Sequence, residues 1–348
     1  MADPQTLVIG GTGFIGGAVL GSLVQSGQPV KAVVRSRGGA AAVAAAGAVP
    51  IEADLLDPSG LREAMAGCAL VYHAGGLNSM CPREPGRLLE VNVQGSANVI
   101  TAAAAAGVRR VVYTSSAATL GERRGTVAHE ESPHRGWFLS QYERSKYLAE
   151  LRVLELGAKL GVEVVCVNPS SVQGPGRTRG TARWLIRYAD GRLRWMVDTR
   201  VSLLAVGDCT TAHRLAAERG VPGRRYLLNG GTLRIQELIG LVAAVTGRHH
   251  RVRYLPGPAA LGGATLAEFA YRLVGHRPPV CREMVRTLLH GHIYDGGPAA
   301  RALGFSYTPM ADFVRTTLEW YAGEGLLRDP SWLGAHPGGG AVDAGRPT

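Results

Sequence analysis

The motif G-G-T-G-F-I-G, running from Gly10 to Gly16, follows directly on the short apolar run Leu7–Ile9 and opens a helical stretch. Nothing else in the chain restricts its fold as tightly. Gly10, Gly13 and Gly16 have the spacing G-x-x-G-x-x-G, with Thr12, Phe14 and Ile15 between them. Such spacing meets three physical needs: a tight turn, a backbone that can approach a pyrophosphate, and a small residue where helix meets sheet. The positive end of the helix then faces the anion. A strand–turn–helix unit of this kind belongs to a parallel α/β sheet.

The first half of the chain continues in that manner. Strands are expected at Leu7–Ile9, Val30–Val34, Val49–Glu52, Leu70–His73, Val111–Ser115 and Val162–Val167. Between them, helices are expected at 13–26, 40–46, 58–66, 85–107 and 141–160. Alternation of short β-branched runs with alanine-rich helices predicts a Rossmann-type, doubly wound parallel sheet. After Pro169 the pattern changes to Gly-, Pro- and Arg-rich loops between isolated helices at 182–189, 208–218, 235–246, 261–273 and 311–321. The expected division is a dinucleotide-binding domain over 1–180, a smaller C-terminal substrate-binding lobe over 181–333, and a disordered tail over 334–348. One or two strands of the lobe are expected to return to the main sheet.

Composition removes several function classes. The net charge is +11, yet no dense basic cluster with interleaved aromatics appears, so nucleic acid is not an expected partner. The apolar runs are too short to span a bilayer, and Met1 to Gln5 lead straight into a strand instead of a secretory signal. A cytoplasmic location is expected. Cys68, Cys81, Cys166, Cys209 and Cys281 are odd in number, widely spaced and form no C-x-x-C. They are expected as reduced thiols, with no disulfide framework and no metal site.

Only three of the 38 basic residues are lysines, Lys31, Lys146 and Lys159. Lys146 falls four residues after Tyr142, so on a helix the phenol and the ammonium share one face. A close ammonium and an oxidised nicotinamide lower a tyrosine pKa from its usual value near 10, which lets the phenol exchange protons near neutrality. Upstream, Tyr113-Thr114-Ser115-Ser116 closes a buried strand, where ligands bind in open α/β sheets. Ser116 is preferred to Ser115 because alternation along the strand sends the two to opposite faces. At the end of the second strand, where an acidic residue would favour NAD, the chain has Arg35. A guanidinium there can hold a 2′-phosphate, so NADP is expected over NAD. Asp54, followed by Leu55, lies where an adenine would approach.

The ordered set G-G-T-G-F-I-G, A-D-L-L-D, H-A-G-G, V-N-V-Q-G-S-A-N, Y-T-S-S, Y-E-R-S-K and N-P-S-S-V-Q-G-P-G resembles the extended short-chain dehydrogenase/reductase superfamily over residues 5–325. The runs Y-T-S-S-A-A-T-L-G and V-D-T-R-V-S-L-L-A-V-G-D resemble its dihydroflavonol-4-reductase-like branch, which includes hopanoid-associated sugar epimerases. That resemblance implies a triad of Ser116 polarising a carbonyl, Tyr142 as acid/base and Lys146 holding the nicotinamide ribose. It also implies cofactor contacts from Ala74 and Gly75 after strand four and from Pro169 and Val172 near the nicotinamide, and a homodimer packed through 85–107 and 141–160. Asn92 is expected to be structural. The branch often has His and two acidic residues where this chain has Ala205-Val-Gly207-Asp208, and only Asp208 is retained, as an expected helix N-cap.

Three readings follow. The first is hydride transfer between NADP(H) and a secondary alcohol/ketone pair of a small-molecule substrate. The second uses the same residues for a nucleotide-sugar 4-epimerase or dehydratase with bound NAD, or for a sterol- or hopanoid-type 3β-hydroxy dehydrogenase. The third is a redox-sensing binding protein without chemistry, which would normally lack the tyrosine or the lysine. The segment 259–274 is expected to form an amphipathic helix over the substrate pocket.

Overall fold

The computed structural model describes residues 5–82, 84–276 and 278–335; most of the expected tail lies outside them. The first five strands are β1 (Gln5–Ile9), β2 (Val30–Val34), β3 (Val49–Glu52), β4 (Cys68–His73) and β5 (Arg110–Thr114). They are followed by β6 (Val127–Ala128), β7 (Glu163–Pro169), β8 (Ser171–Gln173), β9 (Trp195–Val197) and β10 (Arg200–Ala205). The last four are β11 (Arg225–Leu228), β12 (Gly231–Arg234), β13 (Arg253–Leu255) and β14 (Ile293–Tyr294). Helices α1 (Phe14–Gln25), α2 (Arg37–Ala45), α3 (Pro58–Ala64), α4 (Pro85–Leu89), α5 (Gly95–Ala105) and α6 (Gln141–Leu160) belong to the first half. The second half holds α7 (Ala182–Ala189), α8 (Val206–Arg219), α9 (Ile235–Thr246) and α10 (Gly257–Leu273). It ends with α11 (Arg282–His290), α12 (Gly297–Leu303) and α13 (Met310–Gly323).

Seven strands form one sheet in the order β11-β7-β5-β4-β1-β2-β3, every neighbouring pair parallel. This is the doubly wound arrangement expected, and β11 is the returning strand of the second half. Period-two alternation divides its side chains between two cores. Leu7, Ile9, Val71, Val111, Tyr113 and Val164 pack on the side of α3, α5 and α6. Val8, Ala32, Tyr72, Val112 and Val165 pack on the side of α1 and α8. A third core gathers α7, α9 and α13. No helix among the described residues is long and apolar enough to cross a membrane.

Three expectations are corrected. Cys81 and Cys281 form a disulfide with a Cα–Cα distance of 5.9 Å, whereas Cys68, Cys166 and Cys209 are free and buried. The 200-residue separation hid this pair, because only the fold brings the loop after β4 beside the start of α11. Reduction of the bridge is expected to cost about 3 kcal/mol of stability, since it closes a long loop in the unfolded chain. Guanidinium unfolding with and without reductant measures this, and an unmoved midpoint would contradict it.

The second correction concerns α10. Among its residues only Ala264 is buried. Leu266 and Leu273 are 70% and 71% exposed, so the apolar stripe faces outward. Asp208 is the third: α8 begins at Val206, so Asp208 lies inside the first turn. Its carboxylate accepts hydrogen bonds from the Thr308 N–H (2.8 Å) and Oγ1 (2.7 Å), fastening the approach to α13.

Candidate active site

The loops after β1, β4, β5 and β7 meet at the carboxyl edge of the sheet. The Ala74 N–H donates to the Ile9 carbonyl (2.9 Å), which draws the β4 loop against the glycine turn. Gly10 has φ +90°, and a Cβ there would stand 2.7 Å from the Ala74 carbonyl carbon. At Gly16 a Cβ would come within 2.2 Å of the Gly10 carbonyl oxygen. Both positions therefore require glycine. Helix α1 starts at Phe14 with Gly13 as its N-cap and no capping side chain. Its first N–H groups lack a side-chain acceptor, which fits an external anion such as a pyrophosphate.

Among the remaining expected cofactor residues, Gly75 lies directly against that turn. Gly75 packs against Ile9 and Leu55, with the Leu55 Cδ1 3.5 Å from where its Cβ would be. Thr12 approaches Gly39, the residue whose N–H the Ser36 hydroxyl caps at the start of α2. Arg35, just before Ser36, is exposed and free to meet a phosphate. Asp54 closes its own turn by accepting from the Leu56 N–H (2.8 Å). Pro169 ends β7, Val172 is buried in β8, and the Gly176 loop lies against the Phe14 ring.

Tyr142 and Lys146 occupy the first two turns of α6. That end is held firmly: Ser140 Oγ caps the Glu143 N–H (3.2 Å), and Glu283 of α11 accepts from the Gln141 N–H (3.1 Å). Glu143 also forms a buried ion pair with Arg135. Ser116 lies beyond β5, which ends at Thr114, so alternation does not set its direction. Instead it caps the 3-10 turn Ala117–Leu120 and accepts from the Ala118 N–H (3.3 Å). Ser115 is buried, its N–H on the Val167 carbonyl (2.7 Å) and its hydroxyl without a hydrogen-bond partner.

The proton chemistry differs from expectation in one respect. Lys146 Nζ donates to Tyr113 Oη and to the Thr114 carbonyl, each at 2.8 Å, and lies 4.5 Å from the Tyr113 ring centroid. Burial raises the Tyr142 phenol, while the Ser116 hydroxyl and the Arg177 guanidinium draw it back down. The lysine is thus held by β5, and the groups acting on the phenol here are Ser116 and Arg177. Burial also pushes the Lys146 ammonium down to about 8, against the opposing pull of Glu150. Lys146 loses its charge as pH rises through that value, so kcat/KM is expected to fall above about pH 8. A profile flat up to about pH 10 would contradict this role.

Several supporting residues escaped the sequence reading. His73, a buried imidazole pushed down to about 3 by desolvation and by Lys146, contacts Ser96 Oγ at 3.0 Å and lies tilted against the Tyr113 ring, 5.3 Å between centroids. Asn168 donates to the Ser116 carbonyl (3.3 Å) and Thr119 Oγ1 (2.9 Å), and also to Glu150. Arg177, 5.3 Å from the Phe14 ring centroid, links the glycine turn to Tyr142. Asn92 is structural as expected: it sits in a π-helical turn, bonds both the N–H and the carbonyl of Leu77, and donates to Ser145 Oγ (2.9 Å).

Residues 6–228 match the model of the NAD dependent epimerase/dehydratase family. The chain belongs to that family. It is an extended short-chain dehydrogenase/reductase and an enzyme, and the family description implies a nicotinamide cofactor. Sterol demethylase protein B of Methylococcus capsulatus is 29% identical over 333 residues, covering 92% of this chain and 99% of that protein. A ketoreductase of Stigmatella aurantiaca, acting on 4-hydroxy-2-methyl-3-oxo-4-farnesyl-3,4-dihydroquinoline-1-oxide, is 31% identical over 310 residues, with 87% and 92% coverage. Among solved structures, gox2253 superposes with a TM-score of 0.80 at 30% identity, covering 94% of this chain and all of that one.

Proposed function

We propose that this family member is an NADP(H)-dependent oxidoreductase acting on a secondary alcohol/ketone pair. The observation that carries the reading is the joining of Ser116, Tyr142 and Lys146 at the carboxyl end of β5, beside a glycine turn that only glycine can form. The cofactor, when bound, supplies or accepts a hydride at the nicotinamide ring. Ser116 holds the substrate oxygen, and Tyr142 gives that oxygen a proton during reduction and removes it during oxidation. Lys146, anchored on the Thr114 carbonyl, holds the nicotinamide ribose with its charge, while Ser116 and Arg177 act on the phenol.

Gly10, Thr12, Gly13, Phe14, Ile15 and Gly16 surround the pyrophosphate in this reading, Asp54 and Leu55 the adenine side. Ala74, Gly75, Pro169 and Val172 line the path to the nicotinamide, and Arg35 holds the 2′-phosphate. Named ketoreductases among the relatives, including a 2-alkyl-3-oxoalkanoate reductase of Stenotrophomonas maltophilia at 30% identity, support a ketone flanked by alkyl carbon. The reading includes a homodimer and a cytoplasmic setting.

The test is consumption of NADPH by the purified enzyme with a panel of 2-alkyl-3-oxoacids and cyclic ketones. Turnover with net NADPH oxidation supports the proposal. Tightly retained NAD, with no net oxidation of NADPH and interconversion of a nucleotide sugar, would replace it by the epimerase reading. Arg35→Ala is expected to weaken NADPH by roughly tenfold to 100-fold, the value of one or two charge-assisted hydrogen bonds, and to leave NADH affinity nearly unchanged. Equal effects on both nucleotides would remove Arg35 from the 2′-phosphate.

A further inference from the structure

We propose that Glu122, His290 and His292 form a binding site for a zinc-class divalent metal ion, clasping the loop after Ser116 to the end of α11. Among the described residues, these three offer ligand atoms that lie within 4.8 Å of one another. Glu122 Oε1 is 3.2 Å from His290 Nε2 and 2.5 Å from His292 Nδ1, with all three side chains 15% exposed or less. A tetrahedral ion holding nitrogen and oxygen ligands at about 2.0–2.2 Å spaces them about 3.3 Å apart, so small adjustments admit one.

Backbone geometry builds the cluster. Glu122 follows Gly121, whose φ of +56° ends the 3-10 turn begun at Ser116. His290 and His292 flank Gly291, whose φ of +67° ends α11. That left-handed glycine reverses the chain so that two imidazoles, two residues apart, place their ring centroids 4.7 Å from each other. Both rings then face one carboxylate.

Two further observations point to a missing cation. Glu122 Oε2 is buried without a hydrogen-bond partner, and His290 Nε2, though 3.2 Å from Glu122 Oε1, makes no well-directed hydrogen bond to it, which is costly unless another group satisfies them. Charge gives the same answer. Arg135 is committed to the side chain of Glu143 and donates only to the backbone carbonyl of Glu122 (3.2 Å). The Glu122 carboxylate is therefore left with imidazoles alone for partners, and a buried anion needs a positive charge beside it. Two imidazoles and one carboxylate suit zinc, with a fourth position for water.

The test uses untagged, full-length protein stripped by a chelator and then equilibrated with ZnCl2. After desalting, it is expected to retain about one zinc per chain. Glu122→Gln and His292→Gln are each expected to lose it. Thermal unfolding adds a second readout: zinc at about 100 times its Kd raises the folded-to-unfolded ratio about 100-fold in the native chain and leaves the variants unmoved. If a variant fails to fold, CoCl2 in the native chain decides alone, because four-coordinate cobalt absorbs visible light far more strongly than the octahedral ion. No retained zinc, retention equal in native and variant chains, or an octahedral cobalt spectrum would each overturn the site and leave a hydrogen-bonded His–Glu–His cluster.

Discussion

Tyr142→Phe is expected to lower turnover by about 10²–10⁴-fold while leaving NADPH affinity close to that of the native enzyme. The substitution removes one oxygen and keeps the ring, so the packing of α6 against the 3-10 turn Ala117–Leu120 is conserved. What disappears is the hydroxyl proposed to exchange the proton. Burial raises the phenol, and the Ser116 hydroxyl and the Arg177 charge act to lower it. A binding protein without chemistry would show no such dependence. Fluorescence titration with NADPH beside steady-state rates separates the two effects, and turnover within a factor of about three of native would end the assignment of Tyr142 as acid/base.

Gly16→Ala is expected to weaken cofactor binding on the order of 100-fold, or about 3 kcal/mol. The added methyl would stand 2.2 Å from the Gly10 carbonyl oxygen and 2.7 Å from its carbon. Both contacts are backbone, so no side chain can rotate away and α1 must move off the β1 turn. The start of α1 then no longer points its N–H groups at the pyrophosphate. At Gly21, on the same helix, a methyl would meet nothing within 4 Å. Gly21→Ala should bind NADPH normally and gain about 0.5–1 kcal/mol of stability. Equal binding by both variants would remove the steric account of the glycine turn.

The contrast between the two glycines shows what is legible without the fold. Spacing after a strand is enough to single out Gly10, Gly13 and Gly16, because the needs of a phosphate turn are local. The helical relation of Tyr142 to Lys146 is legible for the same reason, as are β2, β3 and α6, whose observed bounds match those expected. Ser116 is singled out too, but by an argument about strand alternation that stops at Thr114. Its direction follows from its place as the cap of a 3-10 turn.

Contacts between distant segments are not legible. Nothing near Lys146 announces that its Nζ is held by Tyr113, 33 residues away. Nothing near Arg177 marks it as neighbour to both Phe14 and Tyr142. The Cys81–Cys281 bridge and the Glu122, His290 and His292 cluster have the same origin, since each joins the first half of the chain to α11 or its end.

By itself, the sequence determined the parallel sheet, the glycine turn and the Tyr142–Lys146 pair, since each depends on hydrophobic period or on spacing within one or two turns. Tertiary structure alone decided which groups act on the phenol, where the lysine charge is held, which cysteines pair and which buried carboxylate lies between two imidazoles. These depend on distances between residues tens to hundreds of positions apart, set only when the loops at the carboxyl edge of the sheet and the segment around α11 pack together.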